Sequence, residues 1–299
     1  MDRFQEMQVF QAVAEEQSFN RAARRLALSA PSVTRAVAAL EKRLGTKLLH
    51  RTTRGVRMTE PGDRFLADCR RILADLEACE GAAATGQSQA RGTLSITASV
   101  LFGDLVVTPL LVEFLAREPG ITIRATFADR IVSMVEEGID VAIRIGHLPD
   151  SGLSAKRVGH VRRVVCASPS LLEKHGRPAH PQDLLQMPIV APSSSTLLTD
   201  WRFQDAGREL TVRPAARLVV SSNRAAIEAA RVGAGVTHVL SYQVDALVSA
   251  GELECVLEEF ALEPLPVHVV HAGGRKAPVK VRAFVDHCVE ALRRHPALR

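Results

Sequence analysis

Acidic residues are nearly missing from one stretch of this 299-residue chain. Between Arg21 and Arg57 stand ten Lys+Arg (21, 24, 25, 35, 42, 43, 47, 51, 54 and 57) against one acid, Glu41. Of the 38 Lys+Arg and 33 Asp+Glu, residues 1–60 hold 11 and 6, and the other 239 residues hold 27 of each. The whole net charge of +5 therefore sits in the first fifth, where a polyanion is drawn in before any specific contact forms. Other absences narrow the class. No apolar run approaches the roughly 18 residues of a membrane helix, and Asp2, Arg3 and Glu6 in the opening helix argue against a signal peptide. The chain is expected in the cytoplasm, with no membrane partner.

Five cysteines (69, 79, 166, 255 and 288) are odd in number and widely spaced, with no Cys-x-x-Cys, and read as buried thiols in a reducing compartment. Cys166, a strand cysteine with no visible resolving partner, reads as core rather than redox sensor. Gly-x-Ser-x-Gly, His-Glu-x-x-His and Gly-x-x-x-x-Gly-Lys-Ser/Thr are all lacking. Ten histidines are scattered singly without metal-ligand spacing. Gly233-Ala234-Gly235 is too short for a dinucleotide fingerprint and reads as a tight turn. No enzyme, cofactor or metal is expected.

What is present begins with a first helix from about Asp2 to Glu16, its apolar face Phe4, Met7, Phe10 and Val13. Ser18 or Asn20 caps a second, running to about Ala27 with Ala22, Ala23 and Leu26 inward. Ser29 caps a third, with Pro31 in its first turn and Gly45 at its end. Val33, Val37, Leu40 and Leu44 form its inner stripe; the opposite face shows Ser32, Thr34, Arg35, Ala39 and Arg43, short and basic enough to enter a groove of double-stranded DNA. Residues 48–59 read as a hairpin wing turning near Arg54-Gly55, so residues 1–60 read as a winged helix-turn-helix, all-α but for the wing.

Residues 61–92 follow as a linker helix and hinge. Phe65, Cys69, Ile72, Leu76, Cys79 and Ala83, spaced 4, 3, 4, 3, 4, make a heptad seam that predicts subunit pairing, with Phe65, Ile72 and Leu76 as its anchors. Residues 93–299 alternate strands (93–98, 121–127, 140–145, 163–167, 217–220, 235–240, 266–271) with helices (103–117, 129–137, 181–187, 223–232, 242–250, 278–294). This is an α/β pattern with mostly parallel sheet. Its length predicts two lobes, about 93–161 with 266–299 and about 162–265, and a cleft at the strand carboxyl ends.

Ser18, Phe19, Ala22, Ala23, Leu26, Ser29, Pro31, Val33, Leu40, Glu41, Leu44, Gly45, Leu48, Arg51, Arg54, Thr59 and Gly62 match, at fixed spacing, the N-terminal pattern of LysR-type transcriptional regulators. The chain resembles that family over essentially its whole length; Asp140–Gly146, Cys166–Pro169, Trp201–Phe203 and Val232–Gly235 extend the likeness. The resemblance implies a periplasmic-binding-protein-like effector domain, a small-molecule effector between the lobes, and a homodimer or a homotetramer built as a dimer of dimers. Ala30, Ser32, Thr34 and Leu49 depart from the pattern's Gln, Ala, Ser and Phe. Ala30 lacks an amide that pairs with a base edge, so the family's usual half-site is not carried over.

The candidate DNA-binding residues are Ser29, Ser32, Thr34, Arg35, Arg43, Arg51 and Arg54. For the effector they are Ser99 and Val100, at a helix start after the first sheet strand; Arg130 and Arg144, able to pair with a carboxylate; Ser194 and Thr196 in a hydroxyl-rich loop; and Asn223, as a helix cap. Two other readings compete: a two-lobed solute-binding protein or enzyme, for which the first 90 residues are superfluous, and an architectural DNA binder, for which the neutral two-lobed region is. Binding to duplex DNA is expected to weaken steeply with salt, each neutralised phosphate adding about −0.9 to the log–log slope. Arg51→Ala and Arg54→Ala should weaken binding to every sequence alike; an altered sequence preference at unchanged salt slope would remove the wing from the phosphate backbone.

Overall fold

The computed structural model describes residues 2–52, 55–85, 90–130, 132–149, 152–193, 200–274 and 277–299; side chains at 51, 52, 55, 71, 74, 75 and 77–85 lie outside that description. Helices α1 (Arg3–Glu16), α2 (Phe19–Arg25) and α3 (Ala30–Leu44) each start on a side-chain cap. Asp2 accepts from the Gln5 N–H at 2.8 Å, Ser18 from Arg21 at 3.3 Å and Ser29 from Ser32 at 3.3 Å, each satisfying an N–H with no helical partner. Ser18, not Asn20, caps α2, and α2 ends at Arg25, two residues before the left-handed Ala27. Gly45, at φ +68°, stops α3. Strands β1 (Leu49–Thr52) and β2 (Gly55–Met58) pair antiparallel as the wing.

The inner stripe of α3 holds at Val33, Val37 and Leu40, joined by Ala36 and Glu41, while Leu44 is left exposed. On α1 the expected face holds at Phe10 and Val13, with Met7 packed against the core, but Phe4 is 44 % exposed, and Glu6, Val9 and Ala12 complete the buried side. Helix α4 (Glu60–Thr85) starts from Thr59, whose hydroxyl donates to the Lys47 carbonyl and accepts from the Gly62 N–H, at 2.7 and 3.0 Å. A Cβ at Gly62 would run into the Leu48 carbonyl, so the wing base and the first turn of α4 fit only with glycine there. The first turns of α4 belong to their own domain. Cys69 is fully buried in the N-terminal core, Leu66 joins it, and Phe65 packs on Phe10 with ring centroids 5.6 Å apart. The seam expected through Phe65 and Cys69 is thus spent internally; Ile72 and Leu76 stay partly exposed.

Beyond α4, β3 (Gly92–Ala98) leads through α5 (Val100–Phe102) and a π-turn (Gly103–Val107) into α6 (Thr108–Arg117), then β4 (Ile121–Phe127), β5 (Val141–Ile145) and β6 (Ser154–Val161). The chain then enters a second set of strands: β7 (Arg163–Ala167), α7 (Pro169–His175), β8 (Ile189–Pro192), β9 (Trp201–Asp205), β10 (Arg208–Val212), β11 (Ala216–Val220), α8 (Asn223–Arg231), β12 (Thr237–Leu240), α9 (Asp245–Ser249) and β13 (Glu254–Val256). It returns by β14 (Leu265–His271) and ends on α10 (Val279–Arg294). The first lobe's sheet has the order β4-β3-β5-β14-β6. In the second lobe β7 lies between β12 and β13, β8 pairs with β11, and an Ile189–Val236 bridge links the two sets.

The expected mostly parallel sheet is corrected. Among the described strands, parallel pairing is limited to β3–β4, β3–β5 and β8–β11. β6, β8, β13 and the β9–β10 hairpin, like α7, had no counterpart in the sequence reading. Residues 134–138 form a turn where a helix was expected, and residues 181–186 a 3₁₀ turn. One apolar core runs through both lobes, from Ile96, Phe102, Phe114 and Phe284 to Ile227, Val239 and Tyr242. Cys166 does have a neighbour, Cys255, directly opposite it on β13. Burial pushes the Cys166 thiol up to about 12 and raises that of Cys255, so both stay protonated.

Glu41 joins α3 to the wing. Its carboxylate accepts from the Leu48 and Leu49 N–H groups at 3.0 and 3.2 Å and from Lys47 Nζ at 2.6 Å. Burial acts to raise its pKa, but the Lys47 and backbone hydrogen bonds together hold it below the ordinary value of 4.5. Glu41→Ala should destabilise the protein by about 1–3 kcal/mol for each N–H left buried without an acceptor. The stabilisation is complete above pH 4.5 and lost as pH falls through the lowered pKa. The gap in urea midpoint between wild type and variant should therefore narrow in acid; a gap that stayed constant down to pH 3 would contradict the charge assignment.

Candidate functional site

Two surfaces carry the residues singled out by sequence. On the first, the Ser29 and Ser32 hydroxyls lie 2.8 Å apart at the exposed start of α3, and Arg35 Nη2 reaches Ser32 Oγ at 3.5 Å. Thr34 is half-buried and Arg35 exposed on the same turn. Ser29, Ser32, Thr34 and Arg35 thus share one end of the helix. Arg43 does not join them as a free cation. Its Nη2 bonds Glu6 Oε2 at 2.7 Å, clamping α3 to α1, because Glu6 faces inward on α1 and needs a counter-charge. Arg54, and the side chain of Arg51, lie outside the described residues.

The basic surplus divides further. Arg25 pairs with Glu15 at 2.8 Å and Lys47 with Glu41 at 2.6 Å, while Arg21 meets Glu16 at 3.5 Å. Arg24, Arg35, Lys42 and Arg57 have no ion pair among the described residues, and Arg24, Lys42 and Arg57 are exposed like Arg35. The charge count over-credits the interface, since part of it holds the domain together. Arg24, Lys42 and Arg57 were counted in the charge run but not singled out; lack of an acid at helical spacing was the available signal for Lys42 only after α1 had been placed.

The second surface is the seam between the lobes, termed the crevice after the cleft expected there, where segments that follow strands of both come into contact. Ser99 follows β3 at the start of α5, and its side chain makes no cap bond. The Val100 N–H points instead at Asp129 Oδ1, 3.0 Å away, on the loop after β4. That loop delivers Asp129, not Arg130, to the helix start. Arg130 is turned away in a two-bond pair with Glu137 at 2.7 and 2.6 Å and is 60 % exposed, so the structure gives it a different role from the effector contact expected. Arg144, at the end of β5, is half-buried and donates to the Val132 carbonyl at 3.0 Å. Burial lowers its pKa, partly offset by Glu137.

From the second lobe, Asn223 opens α8, but Ser222 caps it, accepting from the Ala225 N–H at 3.2 Å. Ser194 and Thr196 lie outside the described residues; Ser193 ends β8 with its N–H on the Val220 carbonyl at 2.7 Å. Two contacts bring the lobes together. Arg224, beside Asn223, pairs with Asp104, five residues after Ser99, at 2.9 Å. The Tyr242 ring meets Phe102 edge-on at 5.1 Å. Tyr242 also hydrogen-bonds Ser99, and its hydroxyl accepts from Gln243 Nε2 at 3.1 Å; burial is the larger influence and raises its pKa. Tyr242, Gln243 and Asp129 are crevice residues that sequence reasoning missed. The chain's single tyrosine, just after a strand, was the one visible signal.

The comparisons with known proteins bear on both surfaces. Residues 4–63 match the model of the bacterial regulatory helix-turn-helix protein, LysR family, and residues 87–293 that of the LysR substrate binding domain. An HTH-type transcriptional regulator of Xanthomonas campestris pv. campestris is 36 % identical over 95 % of this chain and 84 % of its own length. An HTH-type transcriptional repressor of Pseudomonas aeruginosa is 31 % identical over 100 % of this chain and 95 % of its own. The solved structure of CrgA, a LysR-type regulator from Neisseria meningitidis, is 30 % identical, covers 96 % of this chain and 98 % of its own, and superposes with a TM-score of 0.62. A capped, basic helix-turn-helix joined by a long helix to a two-lobed α/β domain is thus accounted for on both counts, and the chain belongs to the LysR family of transcriptional regulators, with a DNA-binding and an effector-binding domain.

Proposed function

We propose that the start of α3 enters the major groove, with Ser32, Thr34 and Arg35 reading base edges, Ser29 fixing the helix end, and Arg24, Lys42 and Arg57 joining Arg51 and Arg54 on phosphates. The observation that carries this is the absence of any acid partner for Arg35, at the exposed helix start, among the described residues. Arg35 has the reach for a guanine edge. Residues 1–60 would act as the DNA-binding unit, 61–92 as the linker and 93–299 as the sensor. Ile72 and Leu76, not Phe65, carry the subunit contact along α4. The assembly is a homodimer or homotetramer working in the cytoplasm without catalysis of its own; no described helix is long and apolar enough to cross a membrane.

In the sensor the effector lies against Ser99, the Val100 helix start, Arg144, Asn223 and Tyr242. The Arg224–Asp104 pair, which ties the start of α8 to the turn after α5 across the lobes, supports this reading. Asp129 already satisfies the Val100 N–H with a negative charge. A carbonyl or hydroxyl that bonds the Ser99 hydroxyl therefore fits this end better than a carboxylate, and an anionic group belongs near Arg144. The effector acts by favouring one lobe arrangement over another; equal affinity for both would shift nothing.

Three measurements check these assignments. Arg35→Ala should cost about 1–3 kcal/mol of discrimination at one base step; footprints of unchanged preference would exclude it from base reading. Leu76→Asp should reduce the oligomer in light scattering by placing a charge in an apolar contact, and an unchanged mass would rule out the linker seam. A metabolite identified by thermal shift should lose its effect on DNA binding in Ser99→Ala while effector-free binding persists. Full retention of the response in that variant would move the site elsewhere.

A further inference from the structure

The second lobe contains a small basic cavity away from the interlobe crevice. It lies under the β9–β10 hairpin, where β7 begins. Arg163, Arg202, Phe203, His238, Val256 and Glu258 are among its walls, and none of its lining residues belongs to the crevice. Its volume is about 20 Å³, just above the roughly 10–15 Å³ that admits one water-sized body. The fold forces these groups together. His238 stands opposite Val165 on β12 and Val256 opposite it on β13, while Arg163 lies two residues back along β7 on the same face. Phe203, almost fully buried, closes the space on the hairpin side; Trp201, equally buried, is not a wall but meets the His238 ring at 5.0 Å.

Three features of this cavity have no internal explanation. First, half-buried Arg163 has no hydrogen-bond or ion-pair partner among the described residues, although a guanidinium removed from water normally has one. Second, it shares the cavity with another guanidinium: burial, and then repulsion from Arg202, lower its pKa. Arg202 reaches its own acid, Glu209, only at 3.6 Å on the solvent side, and Glu258 lines the cavity without pairing with either arginine. Third, His238 is 3 % exposed and its Nδ1 has no hydrogen-bond partner. The ring stacks on Phe203 at 5.9 Å and meets Trp201 at 5.0 Å; burial, with Arg163 beside it, takes its pKa down to about 3, so it is neutral and one ring nitrogen carries a proton to donate.

Three guanidiniums, those of Arg162, Arg163 and Arg202, and an unpartnered imidazole nitrogen outweigh one carboxylate, Glu258, around a space for one small group, and that surplus is complementary to a negative charge. We infer that this cavity is a second ligand site, taking the anionic head, a carboxylate or phosphate group, of a small metabolite or the free ion, held by the Arg163 and Arg202 guanidiniums and the His238 ring. Paired guanidiniums match the geometry of such a head. The placement also gives the ligand leverage. It would join the start of β7, immediately after the crossing from the first lobe, to the hairpin and to the turn at Glu258–Phe260.

Trp201 is the chain's only tryptophan and touches the cavity wall through the His238 ring, so its emission is sensitive to an anion seated there and blind to anions collected by the basic N-terminal domain. Full-length protein is titrated with sodium iodide, an anionic quencher. Wild type should quench saturably at millimolar iodide, and Arg163→Met and Arg202→Met should each weaken that saturation at least tenfold. Acrylamide, a neutral quencher, should act equally on all three; the exposed Arg202 variant keeps the test valid even if Arg163→Met disturbs packing. Competition by sodium formate marks a carboxylate site and competition by inorganic phosphate a phosphate site. Quenching that rises linearly with equal slope in wild type and the Arg202→Met variant, or saturation that neither formate nor phosphate reverses, overturns the proposal.

Discussion

The edge-on contact between Phe102 and Tyr242 is the constraint on which the regulatory region depends. Phe102 is fully buried and Tyr242 nearly so, and the apolar cluster that contains them is shared by both lobes. Lobes with separate cores hinge freely; lobes that share one move only by repacking. Interiors packed to crystal-like density do not deform continuously, so a small disturbance is taken up as a switch between discrete arrangements. Ser99 and Asp129 stand at the rim of this shared core, and Arg224–Asp104 crosses beside it. A ligand bound there, as proposed, would act on the packing that defines the lobe angle.

A second constraint governs the basic domain. Its positive charge is both attractant and structural material. Glu6 and Glu41 are buried carboxylates, and each needs a cation or N–H donors, so Arg43 and Lys47 are committed before DNA arrives. The pairs differ in weight. Lys47 is 73 % exposed and its attraction is mostly screened, whereas the two backbone N–H groups on Glu41 are buried and cannot turn to water.

The helix-turn-helix was legible because its signals are local. Ser18, Ser29 and Gly45 act within a turn or two of where they stand, so the sequence displays cause and effect together. The linker seam was half legible. Heptad spacing says that one face is apolar but not whose surface covers it, and Phe10 of the same chain claims Phe65. On α1 the burial of Glu6 in place of Phe4 depended on a partner 37 residues away. In the sensor, most of the longer apolar strands were legible, while the half-exposed edge strand β6 and the polar β9–β10 hairpin carry a weak alternation, and β8 and β13, of four and three residues, are too short to show a period. At the loop after β4, Asp129 and Arg130 are neighbours with different partners, the Val100 N–H and Glu137, and the position of Glu137, which decides this, is not visible from strand ends alone. Cys255 opposite Cys166 was invisible for the same reason, the pairing being set by sheet register between residues 89 positions apart.

The missing side chain at Gly62 has a consequence for geometry on the DNA. With the first turn of α4 seated on the Leu48 carbonyl, the long helix and the wing are welded into one rigid arm. Its 26 residues make a lever about 39 Å long at 1.5 Å per residue. Tilting such a lever by about 5° moves its tip by roughly 3.4 Å, the rise of one base pair. Were two such linkers paired as proposed, a change in the angle between them, too small to alter any contact within either reading head, would be enough to put the second head out of step with its half-site.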